Sequence, residues 1–154
     1  MYTKQEAALL VHQFWTAFGK YMAPVASAEG AHINWVNYKT GEKDLRIVLE
    51  ATQGKAAIAL RCEHKDVAKQ QWYFNQLLLL KNALHTATGE EWDWRPFYAD
   101  EHGRMISEVS LAISGVKVLN QNDWPAIISF LKPRLVALDI FWCEFKYAFQ
   151  DCPL

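Results

Sequence analysis

The sequence predicts an α+β fold: an antiparallel sheet of about five strands, a common sheet size, with long helices packed on one face. Three observations carry this expectation. Apolar residues recur at helical spacing near the start, in the middle and at the end of the chain. Between the first two helical stretches hydrophobicity alternates with a period of two. Strands arrive in runs, not in strict alternation with helices, which gives the order α-βββ-α-ββ-α.

The first helix is announced by Thr3-Lys4-Gln5-Glu6, a capping box in which the threonine hydroxyl takes an orphan N–H and the glutamate reaches back. Ala7, Val11, Phe14, Phe18 and Tyr21 trace one face of that helix, which should stop before Pro24. Ala26 to Gly30 is a small-residue loop. A three-strand meander follows. Its first strand spans roughly Ile33 to Tyr38. Its second has Leu45, Ile47, Leu49 and Ala51 on one face and Arg46, Val48 and Glu50 on the other. Gln53-Gly54 signals a tight turn, and the third strand alternates Ile58, Leu60 and Cys62 with Ala57, Ala59 and Arg61.

Asp66 is placed to cap a long helix ending at Gly89, with Trp72 or Tyr73, Gln76, Leu77, Leu80 and Leu84 on its apolar face. A β pair comes next: Trp92 to Tyr98, a turn at Asp100-Glu101-His102-Gly103, then Met105 to Ile113. Pro96 marks the first of these as an edge strand or a bulge. Asp123 and Pro125 open the last helix. Pro133 should kink or split it near Lys132. From Ile127 to Phe149 it is apolar on most faces, so Leu138, Phe141 and Phe145 are expected in the core. The surplus aromatics Trp142 and Phe149 are expected nearer a possible interface.

The 154 residues suit one domain, 1–154, and the apolar fraction of 51% is enough to bury a sizeable core. Sixteen basic against 17 acidic residues leave a formal charge of −1. That balance gives no support to nucleic-acid binding, although it does not by itself bar it. Three widely spaced cysteines, Cys62, Cys143 and Cys152, form no disulfide framework. Reduced thiols, no apolar leader and no membrane-length apolar run together point to a cytoplasmic protein.

Chemical motifs are sparse. Glu63-His64-Lys65 after the meander has the acidic-x-lysine spacing of a restriction-type nuclease, with Asp44 or Glu50 as the first acid. In that scheme carboxylates hold Mg²⁺ and lysine positions the attacking water. Gln70-x-x-x-Phe74 on the next helix is similar to a helix motif of the same superfamily. The ordinary reading is a polar strand-to-helix corner. The five histidines, at 12, 32, 64, 85 and 102, contain no pair spaced to share a helix face, so neither a metal nor any other cofactor is expected. No nucleophile elbow and no glycine-rich phosphate loop is present.

Seven tryptophans, six tyrosines and eight phenylalanines are a heavy aromatic load. Trp35, Trp92, Trp94, Trp124 and Trp142 are the candidate binding aromatics, against the plainer reading that they cover the core.

Several segments carry a family resemblance, in order: Phe14-Trp15-Thr16-Ala17-Phe18-Gly19, Trp35-Val36-Asn37-Tyr38-Lys39-Thr40-Gly41, Gly89-Glu90-Glu91-Trp92-Asp93-Trp94 and Asn122-Asp123-Trp124-Pro125. The last continues through Ile128 to Arg134 and on to Phe141-Trp142. Across nearly the whole chain it resembles a bacterial family of uncharacterised proteins, the domain-of-unknown-function family numbered 4268. The resemblance supplies no activity and no catalytic residues. It implies an accessory module, since similar domains lie C-terminal to nuclease-like domains in longer proteins, with links to nuclease or defence systems. Here the first helix is expected from residue 3, so no such domain is expected before it. The expectation is therefore a non-enzymatic binding module acting through protein contacts, with an unknown partner or by self-association. The alternatives are a Mg²⁺-dependent or degenerate nuclease and a small-ligand binder with an aromatic pocket.

Overall fold

A computed structural model describes residues 1–154. Helix α1 (Lys4–Met22) starts on the expected capping box: Glu6 N–H donates to Thr3 Oγ1, and Thr3 N–H donates to Glu6 Oε1. Phe14, Phe18 and Met22, spaced four apart, form its buried stripe. Tyr21, expected on that stripe, is exposed, because Met22 takes the buried position one residue later.

The expected strand at Ile33–Tyr38 does not form. The Asn34 side chain accepts from Asn37 N–H at 3.1 Å and bends the chain in mid-segment. Trp35 and Tyr38 are buried all the same. Their polar tips go to Val25 C=O and to Asp139, so side chains rather than a ladder fix the 23–44 segment.

The sheet therefore has four strands, not about five: β1 (Leu45–Ala51), β2 (Gln53–Cys62), β3 (Asp93–Ala99) and β4 (Met105–Lys117). All neighbours are antiparallel, in the order β1-β2-β4-β3. Thr52 N–H to Lys55 C=O closes the β1–β2 turn at 2.9 Å. In the β3–β4 turn, Asp100 Oδ1 accepts from His102 and Arg104 N–H, and Gly103 takes the left-handed φ of 76° that a Cβ would disfavour. Pro96 lies in an edge strand and also in a bulge. Arg95 pairs with Glu108 and Tyr98 with Ile106, so Pro96 and Phe97 together face Ser107.

The expected long helix is two helices, α2 (Val67–Leu79) and α3 (Lys81–Thr88), turning at Leu80. Asp66 caps α2 by accepting from Lys69 N–H, and Gly89 ends α3 in the left-handed conformation. Tyr73, not Trp72, is the buried member of that pair.

Helix α4 (Trp124–Phe145) runs without a break through Pro133. The bond that Pro133 lacks is the one to Ser129 C=O, at a residue on the exposed side of the helix. Asp123 does not cap this helix. Its carboxylate accepts from Lys117 N–H at 2.9 Å and ties down the end of β4.

Helices α2 and α4 pack on β2 and β4. Beneath them lies one contiguous core of buried residues drawn from all four helices, with Leu138 and Phe141 fully buried and Phe145 packed against its margin. Trp142 and Phe149 are core residues too, contrary to the expectation of an interface. A short 3₁₀ turn (Lys146–Phe149) folds the chain back, which brings Phe149 within 5.2 Å of the Trp142 ring and 6.1 Å of the Tyr73 ring. No helix is long and apolar enough to cross a membrane.

Candidate functional site

The face of the sheet opposite the helices has no helical cover. Register fixes who stands there: Arg46 beside Arg61, Val48 beside Ala59, Glu50 beside Ala57, Ala59 beside Ser110, Arg61 beside Glu108, and Arg95 beside Glu108. Small side chains at Ala57, Ala59, Ser110 and Ala112 leave the middle low. Longer ones from β1, β3 and the β3–β4 turn stand at the rims, enclosing an open groove of about 490 Å³.

A bulge completes that rim. In a regular strand Phe97 would follow Asp93 and Arg95 onto this face. The extra residue, with Phe97 at φ 38°, turns Tyr98 there instead. The Arg95 guanidinium carbon sits over the Tyr98 ring, 3.7 Å from its centre, and Tyr98 OH donates to Glu108. Burial, reinforced by the hydrogen bond to Glu108, pushes the Tyr98 phenol up to about 12. Arg61 Nε binds the other oxygen of Glu108 at 2.9 Å. Burial opposes the charge on Arg61, but the Glu108 carboxylate outweighs it and raises the guanidinium's pKa.

Glu63 holds a second arrangement. Its two oxygens meet Arg46 Nη1 at 3.0 Å and Arg104 Nη2 at 3.2 Å. Arg104 Nε also meets Asp100 at 3.3 Å. The Arg104 backbone N–H, above all, holds the Asp100 carboxyl below the usual carboxylate range. Two carboxylates are sunk beneath exposed cations: side-chain exposure is 7% for Glu63 and 9% for Glu108, against 56% for Arg46 and 48% for Arg104, while Glu50 and Glu101 on the groove's rim are themselves exposed.

The nuclease-type candidates are not gathered by this geometry. Asp44 and Glu63 are joined through the backbone, Glu63 N–H to Asp44 C=O at 2.8 Å. Asp44, at φ 63°, lines a small cavity with His64 and Tyr73, whereas Glu63 faces its two arginines. Glu50 stands six positions up the strand from Asp44, about 20 Å at ~3.3 Å per residue, and meets Lys55. Lys65 is exposed at the strand-to-helix corner. No group of three or more His, Cys, Asp or Glu side chains is close enough to hold a metal ion.

The candidate aromatics are spread through the core. Trp35, Trp92 and Trp142 are buried, and their indole N–H groups donate to Val25 C=O, Thr88 Oγ1 and Thr40 C=O. Trp124, half-buried, donates to Val118 C=O. Trp94 packs edge-on against Phe74, with the Lys81 ammonium 5.5 Å from its ring. Trp92 and Trp94 share a cleft, an open one bordered by Glu90 and Glu91.

Sequence reasoning missed two polar residues. Asp139, 1% exposed within α4, accepts from Ser27 OH, Ala28 N–H and Tyr38 OH. Its signal was an aspartate alone among Leu135, Val136, Leu138, Ile140 and Phe141. Glu108, the centre of the open face, stands among apolar and small residues of β4 and gave the same signal.

A family model described as a domain of unknown function (DUF4268) matches residues 10–146. The chain belongs to this family. The matched stretch contains all four strands, and with them the whole open face and the groove. No curated protein and no solved structure matches the chain.

Proposed function

We propose that this domain is a non-enzymatic binding module that holds an acidic segment of a partner protein on its open sheet face. The observation that carries the reading is the set of arginines held in fixed positions along the groove. Glu63 and Glu108 lie under the surface and fix Arg104 and Arg61, two arginines that line the groove. Arg95, stacked on Tyr98 and without an ion pair, adds a third cation held in place before any partner arrives. Holding an arginine in one orientation cuts the ordering cost of binding, and its planar fork suits carboxylates. The low floor of Ala57, Ala59, Ser110 and Ala112 lets a chain come close to the sheet. A nuclease-type protein is the first partner to test, in keeping with the resemblance above.

The test compares cell-lysate capture by three forms: the natural protein, the Arg95→Glu/Arg104→Glu variant, and a Lys20→Glu control on exposed α1 surface. The expected result is a protein retained by the natural form and by the control, lost by the double variant, and released by salt as exposed charge pairs are screened. Equal retention by all three forms removes the open face from the reading.

A further inference from the structure

The two edges of the sheet are treated differently. Edge strand β3 is blunted by Pro96, by its bulge and by the left-handed Phe97. Edge strand β1, Leu45–Ala51, has no proline, no glycine and no bulge, and pairs with β2 along its whole length.

The backbone bonds show which β1 groups point outward. Asp44 C=O accepts from Glu63, and Thr52 N–H donates to Lys55, so the even-numbered residues exchange bonds with β2. The odd-numbered residues 45, 47, 49 and 51 therefore direct N–H and C=O away from the sheet. Leu45 spends both groups inside the chain, on Glu42 C=O and Thr40 Oγ1. Ile47, Leu49 and Ala51 make no hydrogen bond on that side.

We propose that β1 pairs with β1 of a second copy, antiparallel about Val48, so that one sheet runs continuously through two chains. The choice of occupant comes from the strand's own sequence. Val48 is the central residue of the seven, and Arg46 and Glu50 stand two positions on either side of it. A two-fold axis through Val48 puts Arg46 opposite the partner's Glu50, and Glu50 opposite the partner's Arg46. Opposite charges directly across a strand pair stabilise it. The same axis sets Ile47 against the partner's Leu49, and these are the residues whose N–H and C=O are free. Each contributes one donor and one acceptor, on both copies, which makes four bonds.

Sliding the pair by two residues sets Arg46 against the partner's Val48 or Thr52, and both charge pairs are lost. Sliding by one sets outward groups against inward ones. The ions are accessible: Arg46 is 56% and Glu50 39% exposed, and Arg46 uses one of its nitrogens on Glu63. The inference concerns the edge of β1 and stands apart from the reading of the open face. A two-fold isologous contact of this kind closes as a dimer and does not propagate.

The test is sedimentation of the natural chain, with charge-swap variants. The natural protein is expected at twice the 17.7 kDa of one chain. Arg46→Glu and Glu50→Arg each place like charges across the axis and should weaken association roughly tenfold or more, given the size of cross-strand pair energies. The combined Arg46→Glu/Glu50→Arg variant should restore the dimer. Because Arg46→Glu also disturbs Glu63, Val48→Cys supplies an arm that keeps the network intact. Across a non-hydrogen-bonded pair the two Cα atoms stand about 4.5 Å apart, within disulfide range. Oxidation should then give a covalent dimer with Val48→Cys. The Arg46→Cys control should give none, since its two copies lie about 13 Å apart along the strands. A monomeric natural chain at ~100 µM, a far looser regime than micromolar affinity requires, overturns the proposal. So does a failure of the double variant to re-associate, or cross-linking at 46 in place of 48.

Discussion

The Tyr38 hydroxyl donates to Asp139 Oδ1 at 2.5 Å, joining residues 101 positions apart. Burial, then the Asp139 hydrogen bond, raises the Tyr38 pKa well above a free phenol's, so the proton stays on the tyrosine. Asp139 also receives Ala28 N–H at 2.7 Å and Ser27 OH at 3.3 Å. One carboxylate in α4 thus organises a segment that has no regular structure of its own.

Replacing that carboxylate should loosen the whole segment. Asp139→Ala leaves buried donors without an acceptor, at about 1–3 kcal/mol for an unsatisfied group. Tyr38→Phe removes a single bond to a charged acceptor and should cost about 1.5–3 kcal/mol. Urea melts measure both, and limited proteolysis should cut first between residues 23 and 44 in Asp139→Ala. Unchanged midpoints and an unchanged first cut would dismiss Asp139 as the organiser.

Acid should weaken the fold through His64. This ring is 6% exposed, lies stacked on Tyr73 at 4.3 Å, and neither nitrogen makes a hydrogen bond. Burial lowers its pKa below 6.5, helped by the Lys69 charge and opposed by the charges of Asp44 and Glu42. The unfolded chain therefore takes up the proton first. His64 contributes fully above pH 6.5, and the contribution is lost as pH falls below 6.5 toward the folded value. The slope cannot exceed about 1.4 kcal/mol per pH unit for one group. Stability measured from pH 7.5 to 5 should fall less steeply in His64→Phe than in the natural chain. Parallel curves would assign the acid sensitivity elsewhere.

Asp66 and Asp123 should behave differently on truncation. Asp66 accepts from Lys69 N–H at 3.2 Å at the start of α2, so Asp66→Ala should cost about 0.5–2 kcal/mol, as a lost cap does. Asp123 makes no cap bond but holds Lys117 N–H. Asp123→Ala should speed hydrogen exchange at Lys117 and leave the first turn of α4 unchanged. Faster exchange in that turn instead would restore the capping role.

Both outcomes bear on what the sequence made legible. Caps, turns and strands set by nearby residues were readable: Thr3 with Glu6, Asp66, Gly89, the alternation of β1 and β2, the bulge at Pro96. Most of the features that escaped depend on which of several competing partners a residue takes. Ile33–Tyr38 has a strand's composition, yet Trp35 and Tyr38 find hydrogen bonds at Val25 and Asp139 instead of a neighbouring strand. Lys117 reaches Asp123 across only six positions, but the residue types do not show that the end of β4 will win this aspartate from the start of α4. The open face was half readable. Alternation put Arg61 with Ala57 and Ala59, but the β2–β4 register that brings Glu108 to Arg61 spans 47 positions.

The purified chain with Mg²⁺ or Mn²⁺ is expected to leave duplex and single-stranded DNA intact. Metal-dependent cleavage needs two carboxylates converging on one ion and a lysine fixed beside them. Glu63, the best placed acid, is occupied by Arg46 and Arg104 at 3.0 and 3.2 Å, and a dication would have to displace or repel both. Asp44 turns toward His64 on the other side of the strand. Lys65 extends into solvent next to the Asp66 cap, so nothing holds its ammonium near either acid. Gel assays over a range of metal concentrations provide the measurement. Cleavage that survives repurification and disappears in both Glu63→Ala and Lys65→Ala would overturn the non-enzymatic reading. It would also require the two arginines to swing away from Glu63 when the metal binds.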